Sequence, residues 1–354
     1  MTSQHSNRKN EHVHLSEKFY HDKKSSLQDI RFVHHSLAGI KTSDVSLDTQ
    51  LGDFALKSPF FINAMTGGNE WTGKINERLA TIARECNLPM AVGSMSVALK
   101  DTNAIQSFKI VRQTNPDGLL FANLGAHHSV ENALRVVDIL QADAIQIHLN
   151  SPQEIIMPEG DRDFTQWTEN IKSLVDQLDI PVIVKEVGFG MSHETIHLLE
   201  NLGVRYIDVS GTGGTNFAEI ENYRRTDYKL DDLLSWGQST AESLLEAQSA
   251  NNETHIIASG GIRTPQDILK ALAMGAHAVG LSSQFLHLSL HTKEIDECIQ
   301  MVNQWKDELI KTMTILGAKR PADLKKCSLI LPANLIHYAK ARGLKWQIYG
   351  KKSY

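Results

Sequence analysis

The residues best suited to chemistry fall in a few short stretches. IHLNSPQE carries His148, Asn150, Gln153 and Glu154. In an extended strand His148 and Asn150 share one face, with Gln153 and Glu154 just beyond its end. A single carboxylate beside phosphate oxygens is the usual protein handle for Mg²⁺, with water and substrate completing the shell. HLN alone is weak, because a lone histidine is more often a satisfied structural residue. Lys185 interrupts the apolar run VIVKEV. Lysine is rarely buried unpaired, so this position calls for an anion, a Schiff-base partner or an electron-rich cofactor. The bland alternative is a lysine snorkelling out of the site. ASGGIRTP (258–265), followed by GLSS (280–283), sets glycine-rich backbone beside a helix N-terminus, an arrangement suited to phosphate. A GG pair often serves only a tight turn, but GTGGT (211–215) supplies a second glycine loop and favours phosphate. Two N-terminal stretches, RKNEHVH (8–14) and RFVHHS (31–36), persuade less. Basic arms are usually solvated, and adjacent histidines need further ligands to hold a metal.

The elements that must position these residues can be read from periodicity. Apolar runs rich in Val, Ile, Leu and Phe predict strands at 59–65, 89–94, 118–124, 144–150, 181–187, 206–210, 255–260 and 278–283. They are apolar throughout rather than alternating, as in a parallel sheet buried on both faces. Between them, helices are predicted at Gly73–Glu85, Val130–Leu140, Asp163–Gln177, His193–Asn201 and Pro265–Ala273. Ser239 with Glu242 fits a capping box, and Thr264 before Pro265 fits an N-cap followed by proline.

Eight strands alternating with helices fit a TIM (β/α)8 barrel, an α/β fold whose active site lies at the strand C-termini. A doubly wound sheet would want a glycine fingerprint after the first strand, and MTGGNEWTG is not GxGxxG. The chain then reads as a single domain, 1–354: an arm (about 1–57), a barrel (about 58–316) and a C-terminal helical tail (about 317–354). In this frame a polar or glycine-rich group sits at every strand end. The stretch 211–238 is read as a long structureless connection, of the kind that serves as a lid or binding loop.

Composition sets the outer bounds. The 354 residues hold 36 basic and 41 acidic side chains, a net charge of −5, which argues against a generic nucleic-acid or anionic-membrane surface. No run approaches the roughly 18 apolar residues of a membrane span, and the polar start has no signal-peptide core. Three widely spaced cysteines without a CxxC give neither a disulfide framework nor a zinc ribbon. These bounds point to a soluble protein of a reducing compartment, the cytoplasm.

Together the segments resemble one family, the type 2 isopentenyl-diphosphate isomerases. The matching pieces are RKNEH (8–12), RFVHHSL (31–37), INAMTGG (62–68), AVGS (91–94), QIHLNSPQE (146–154), VIVKEVGFGMS (182–192), DVSGTGGTNFAEIEN (208–222), SWGQST (235–240) and ASGGIRTPQD (258–267). The resemblance implies a barrel holding FMN that interconverts isopentenyl and dimethylallyl diphosphate with Mg²⁺, and with NADPH as reductant. By motif it places FMN on Ala64, Met65, Thr66, Ser94, Asn123, Lys185, Ser210, Thr215, Gly260, Gly261, Ile262, Arg263, Ser282 and Ser283. GLSSQFL departs from the small apolar pair expected at strand 8. The resemblance also implies diphosphate contacts at Arg8, Lys9, His148, Asn150 and Gln153, and Mg²⁺ on Glu154. His148, Gln153 and Lys185 would be catalytic, and the assembly a homotetramer or homo-octamer.

Other readings stay open at this stage. A redox FMN barrel, such as a 2-hydroxy-acid oxidase or dihydroorotate dehydrogenase, would need an acid or base poised for net hydride transfer. An IMP-dehydrogenase-like enzyme would need a nucleophilic cysteine in a strand-end loop, which Cys86, Cys298 and Cys327 do not offer. A non-catalytic phosphate-binding barrel would show no flavin and no turnover.

Overall fold

The computed structural model describes residues 4–20 and 24–351, with side chains from Arg8 onward. Eight parallel strands close into a barrel: β1 (Phe60–Ile62), β2 (Met90–Ala91), β3 (Leu120–Gly125), β4 (Ala144–Leu149), β5 (Val182–Glu186), β6 (Tyr206–Asp208), β7 (His255–Ser259) and β8 (Ala278–Leu281). Each strand pairs with its sequence neighbour, and β8 returns to β1. Most ladders stop short of the predicted runs, while β3 runs on to Gly125, one residue past its own. Residues such as 63–66 and 92–94 leave the ladder to form the loops that carry the site.

Helices Val130–Leu140, His193–Asn201 and Pro265–Ala273 have the predicted bounds. The helix expected from Gly73 starts at Glu70, because the Asn69 side chain caps Thr72. The one expected from Asp163 starts at Trp167, since the Asp163 carboxylate closes a turn on the Thr165 N–H instead. Both capping expectations hold: Ser239 and Glu242 exchange bonds, and Thr264 caps Asp267 ahead of Pro265.

Two layers of core follow. Between strands and helices lies a large apolar shell that includes Phe60, Leu79, Phe108 and Phe285. Inside the barrel, Phe61, Phe121, Ile183 and Ile257 fill the lower half. Within the segment read as an arm, a hairpin of Thr49–Leu51 and Phe54–Leu56 contributes Leu51, Phe54 and Leu56 to this inner cluster and plugs the barrel floor. Arg31–Phe32 pairs antiparallel with Leu329–Ile330, so RFVHHS tethers the C-terminal tail. The tail docks through buried Glu246, which accepts from Tyr338 Oη and Arg342 Nε, both at 2.7 Å.

The stretch 211–238 is not structureless. It contains a helix, Phe217–Arg224, capped by Asn216, and a 3-10 turn at Asp231–Leu233. Eight residues with a weak apolar pattern hide this helix from periodicity, but burial of Ala218, Ile220, Glu221 and Asn222 against its neighbours forms it. The N-terminal segment also folds, as a helix from Gln4 to Lys18 laid across the barrel mouth.

Candidate active site

A cavity of about 310 Å³ opens at the C-terminal ends of the strands, roofed by the N-terminal helix. Its floor comes from strand-end loops: Ala64, Met65 and Thr66 after β1, Ser94 after β2, Asn123 in β3. His148, Asn150, Gln153 and Glu154 come from β4 and the short helix behind it, Lys185 from β5, Ser210 and Thr215 from the loop after β6. Gly260, Gly261 and Ile262 follow β7, and Ser282 and Ser283 follow β8. Arg8 and Lys9 line it from above. Arg263 does not. Its guanidinium lies over the Tyr20 ring, 5.3 Å from the centroid, and its backbone N–H is tied to Asp267.

One side of the cavity is built for a phosphate. The loops after β6 and β7 interleave so closely that a Cβ on Gly260 would fall 2.0 Å from the Gly211 carbonyl oxygen, and one on Gly261 would meet Gly213 at 2.7 Å. Both glycines have positive φ, +91° and +70°. The N–H groups of Gly261 and Ile262 have no hydrogen-bond partner among the described residues, which leaves two donors for an anion. Ser210 holds φ +27°, rare for a side chain, while its carbonyl accepts the N–H groups of Gly188 and Gly190 at 3.0 Å each.

The barrel wall beside this cradle is polar where a parallel strand should be apolar. Lys185 is 5% exposed, and its Nζ donates to the Glu186 carbonyl at 2.7 Å. It sits opposite His148 and Asp208 in register. Burial lowers the Lys185 pKa against the pull of Asp208 and Glu186, and burial raises that of Asp208. Burial likewise pushes Glu186 up to about 8, although its carboxylate accepts the N–H groups of Val187 and Phe189. His148 is held well below its ordinary value by burial first and then by Lys185, His127, Lys9 and His128, so its ring is neutral.

The opposite side gathers cations and amides. Burial, then Arg8, bring the Lys9 ammonium down to about 8, and Nζ donates to the Ser94 carbonyl at 3.3 Å. Gln153 donates Nε2 to Glu221 Oε1 at 3.0 Å, and Asn150 donates to Gln153 and to Glu154. Burial alone would raise Glu221, but bonds from His12 and Gln153 and the nearby Arg224 bring it down to about 2. Glu154, which lines the cavity, is held at both oxygens, by Asn150 Nδ2 and the Asp161 N–H.

Sequence reasoning missed Asn63, Gln146, Asp208 and Glu221, all buried and all bonded to residues it named or to one another. The same signal that singled out Lys185, a polar residue inside an apolar strand, marks Gln146 and Asp208.

The site fits a flavin mononucleotide. Beyond the free N–H cradle, Thr66 Oγ1 is buried on the cavity wall without a hydrogen-bond partner, a polar atom that a ligand would satisfy. Residues 150–330 match the family of FMN-dependent dehydrogenases. The isopentenyl-diphosphate delta-isomerase of Staphylococcus saprophyticus is 50% identical over 337 residues, 95% of this chain and 97% of that protein. This chain belongs to the isopentenyl-diphosphate delta-isomerase family. A second member, from Staphylococcus epidermidis, is 47% identical over 97% of this chain and 98% of its own. Among solved structures, a flavocytochrome b2 variant superposes with TM-score 0.66 at 19% identity, covering 92% of this chain and 83% of that one. A mandelate oxidase complexed with (S)-2-phenylpropionate gives 0.62 at 16%, covering 87% and 88%. These two share the barrel with the isomerase family. Among the described residues no helix is long and apolar enough to cross a membrane.

Proposed function

We propose that this chain interconverts isopentenyl and dimethylallyl diphosphate on reduced FMN, with Mg²⁺, without net oxidation. One observation carries the reading. The cavity is lined both by the glycine cradle at the β7 and β8 ends and by Arg8 and Lys9 of the roof, together with Lys185 and His148. The first suits the flavin phosphate and the second a diphosphate.

When bound, the reduced flavin supplies the acid–base chemistry that moves a proton between carbons. The protein's part is orientation and charge. Lys185 stabilises negative charge on the ring. Arg8 and Lys9 neutralise the diphosphate, with Asn150 also lining the cavity. Glu154 would hold Mg²⁺ through its carboxylate, and the ion would offset diphosphate charge. Gln153, fixed by Glu221 and Asn150, holds the reacting end of the hydrocarbon. NADPH serves to reduce the flavin before turnover. Residence in the cytoplasm and assembly as a homo-oligomer belong to the same reading.

The test is stoichiometric. Under anaerobic conditions one equivalent of dithionite or NADPH should support many turnovers, and deuterium from heavy water should enter both product and recovered substrate. Consumption of NADPH in proportion to product would make the chain a redox enzyme instead, the reading favoured by its mandelate-oxidase-like fold.

A further inference from the structure

A row of buried amides crosses the inside of the barrel from β6 to β4, and its bonding is fixed at one end. The Ala64 N–H donates to Asn63 Oδ1 at 2.8 Å. A backbone N–H can only donate, so that atom must be the oxygen, and Nδ2 must face Asp208, whose Oδ2 lies at 2.8 Å. Asp208 is anchored in turn by Ser259 Oγ at 2.7 Å and the Ser210 N–H at 3.2 Å on its other oxygen. The group that meets Asn63 Oδ1 from Gln146, at 2.9 Å, must then be Nε2. Its Oε1 is left for Asn123, which must offer Nδ2 at 3.1 Å. Asn123 therefore turns Oδ1 toward His148 Nδ1, at 2.8 Å. An oxygen acceptor at that distance requires a proton on the ring nitrogen.

We infer that the chain Asp208–Asn63–Gln146–Asn123 fixes His148 as its Nδ1–H tautomer and presents a bare Nε2 to the cavity as an acceptor. Asn63, Gln146 and Asp208 are then positioning residues, acting on the site through His148. Burial first, and then neighbouring Lys185, His127, Lys9 and His128, disfavour a second proton on the ring. The group that His148 meets must accordingly be a donor: a ligand N–H, a protonated phosphate oxygen or an ammonium. A fully ionised diphosphate oxygen, itself only an acceptor, is not recognised by this face. The tautomer is a property of the folded chain, so it stands or falls independently of the isomerase activity.

Nitrogen NMR on the full-length chain labelled with ¹⁵N-histidine reads it directly. His148→Gln identifies the resonances by their loss from the set of 16 histidines. At neutral pH the wild-type ring should show a protonated, pyrrole-like Nδ1 and a pyridine-like Nε2. Gln146→Met should release Asn123 and shift the proton wholly or partly to Nε2. Gln146→Glu, which still offers Asn123 an acceptor, should keep the wild-type pattern. Should the methionine variant fail to fold, Asn123→Leu, which removes the last acceptor, must produce the same shift. A wild-type proton on Nε2, a doubly protonated wild-type ring, or an unchanged pattern in Gln146→Met or Asn123→Leu would each overturn the inference.

Discussion

Lys185 and Glu154 show how far single side chains can be separated by experiment. Lys185 is the cation of the barrel wall, buried between Glu186 and Asp208. Lys185→Ala removes its charge and leaves Asp208 without that partner, so flavin affinity or turnover of the reduced form should fall by roughly ten- to a hundredfold, the scale of one to two charge-assisted bonds. Flavin titration and a single-turnover assay distinguish the two losses, and unchanged values in both would remove the role. Glu154 sits across the cavity, with its oxygens held by Asn150 and the Asp161 N–H. Glu154→Gln should raise the Mg²⁺ concentration needed for activity, or abolish activity, while leaving FMN content intact. Unaltered Mg²⁺ dependence would refute that assignment.

At the scale of elements, a buried carboxylate ties the roof to two other elements. Glu221, on the Phe217–Arg224 helix, meets His12 of the N-terminal helix at 2.9 Å and Gln153 of the β4 end at 3.0 Å. Its folded pKa, about 2, lies below the ordinary carboxyl value. The stability it contributes is therefore present above the unfolded value of about 4.3 and lost as pH falls from there toward about 2. Limited proteolysis should show the N-terminal helix loosening across that acid window, and Glu221→Gln should loosen it already at neutral pH. Deleting residues 1–12 should damage substrate affinity more than flavin binding, because Arg8 and Lys9 enter the cavity from above, away from the glycine cradle's own backbone. Equal loss of both would indicate a structural role for the helix.

For the whole molecule, the barrel interior divides into an apolar floor and a polar top. Phe121 is fully buried in the floor among Phe61, Ile183 and the hairpin's Leu51 and Phe54. Phe121→Ala should cost about 3–5 kcal/mol by lost transfer energy and a residual cavity. Its flavin affinity, measured well below the melting transition, should stay near wild type, since the cavity at the mouth is lined by other residues. Denaturant unfolding and flavin titration on the same variant check both halves. A fall in affinity matching the fall in stability would mean that floor and mouth are mechanically coupled.

The barrel and the strand ends that line the cavity were legible in the chain because both follow from local pattern. Buried parallel strands must be apolar throughout, helices between them must be amphipathic and capped, and the polar residues that remain collect where the strands stop. Lys185 and the Gly260-Gly261 pair stand out on that ground alone, whereas His148 is weak by itself and gains weight only with Asn150, Gln153 and Glu154 beside it. Other features depend on partners distant in sequence. Glu221 is an ordinary surface-type residue until the N-terminal helix brings His12 against it and β4 brings Gln153. The hairpin at 49–56 carries no sign of being a plug until the barrel offers a floor to fill. Asn63 follows β1, Gln146 lies in β4 and Asp208 ends β6, strands that do not neighbour one another, and only closure of the barrel brings the three side chains together across its interior into one line of hydrogen bonds. Arg263, placed on the flavin by its motif, has its guanidinium over Tyr20, just past the end of the N-terminal helix and more than two hundred residues earlier in the chain. Periodicity reports which face of an element is buried. What that face meets is decided when the barrel closes.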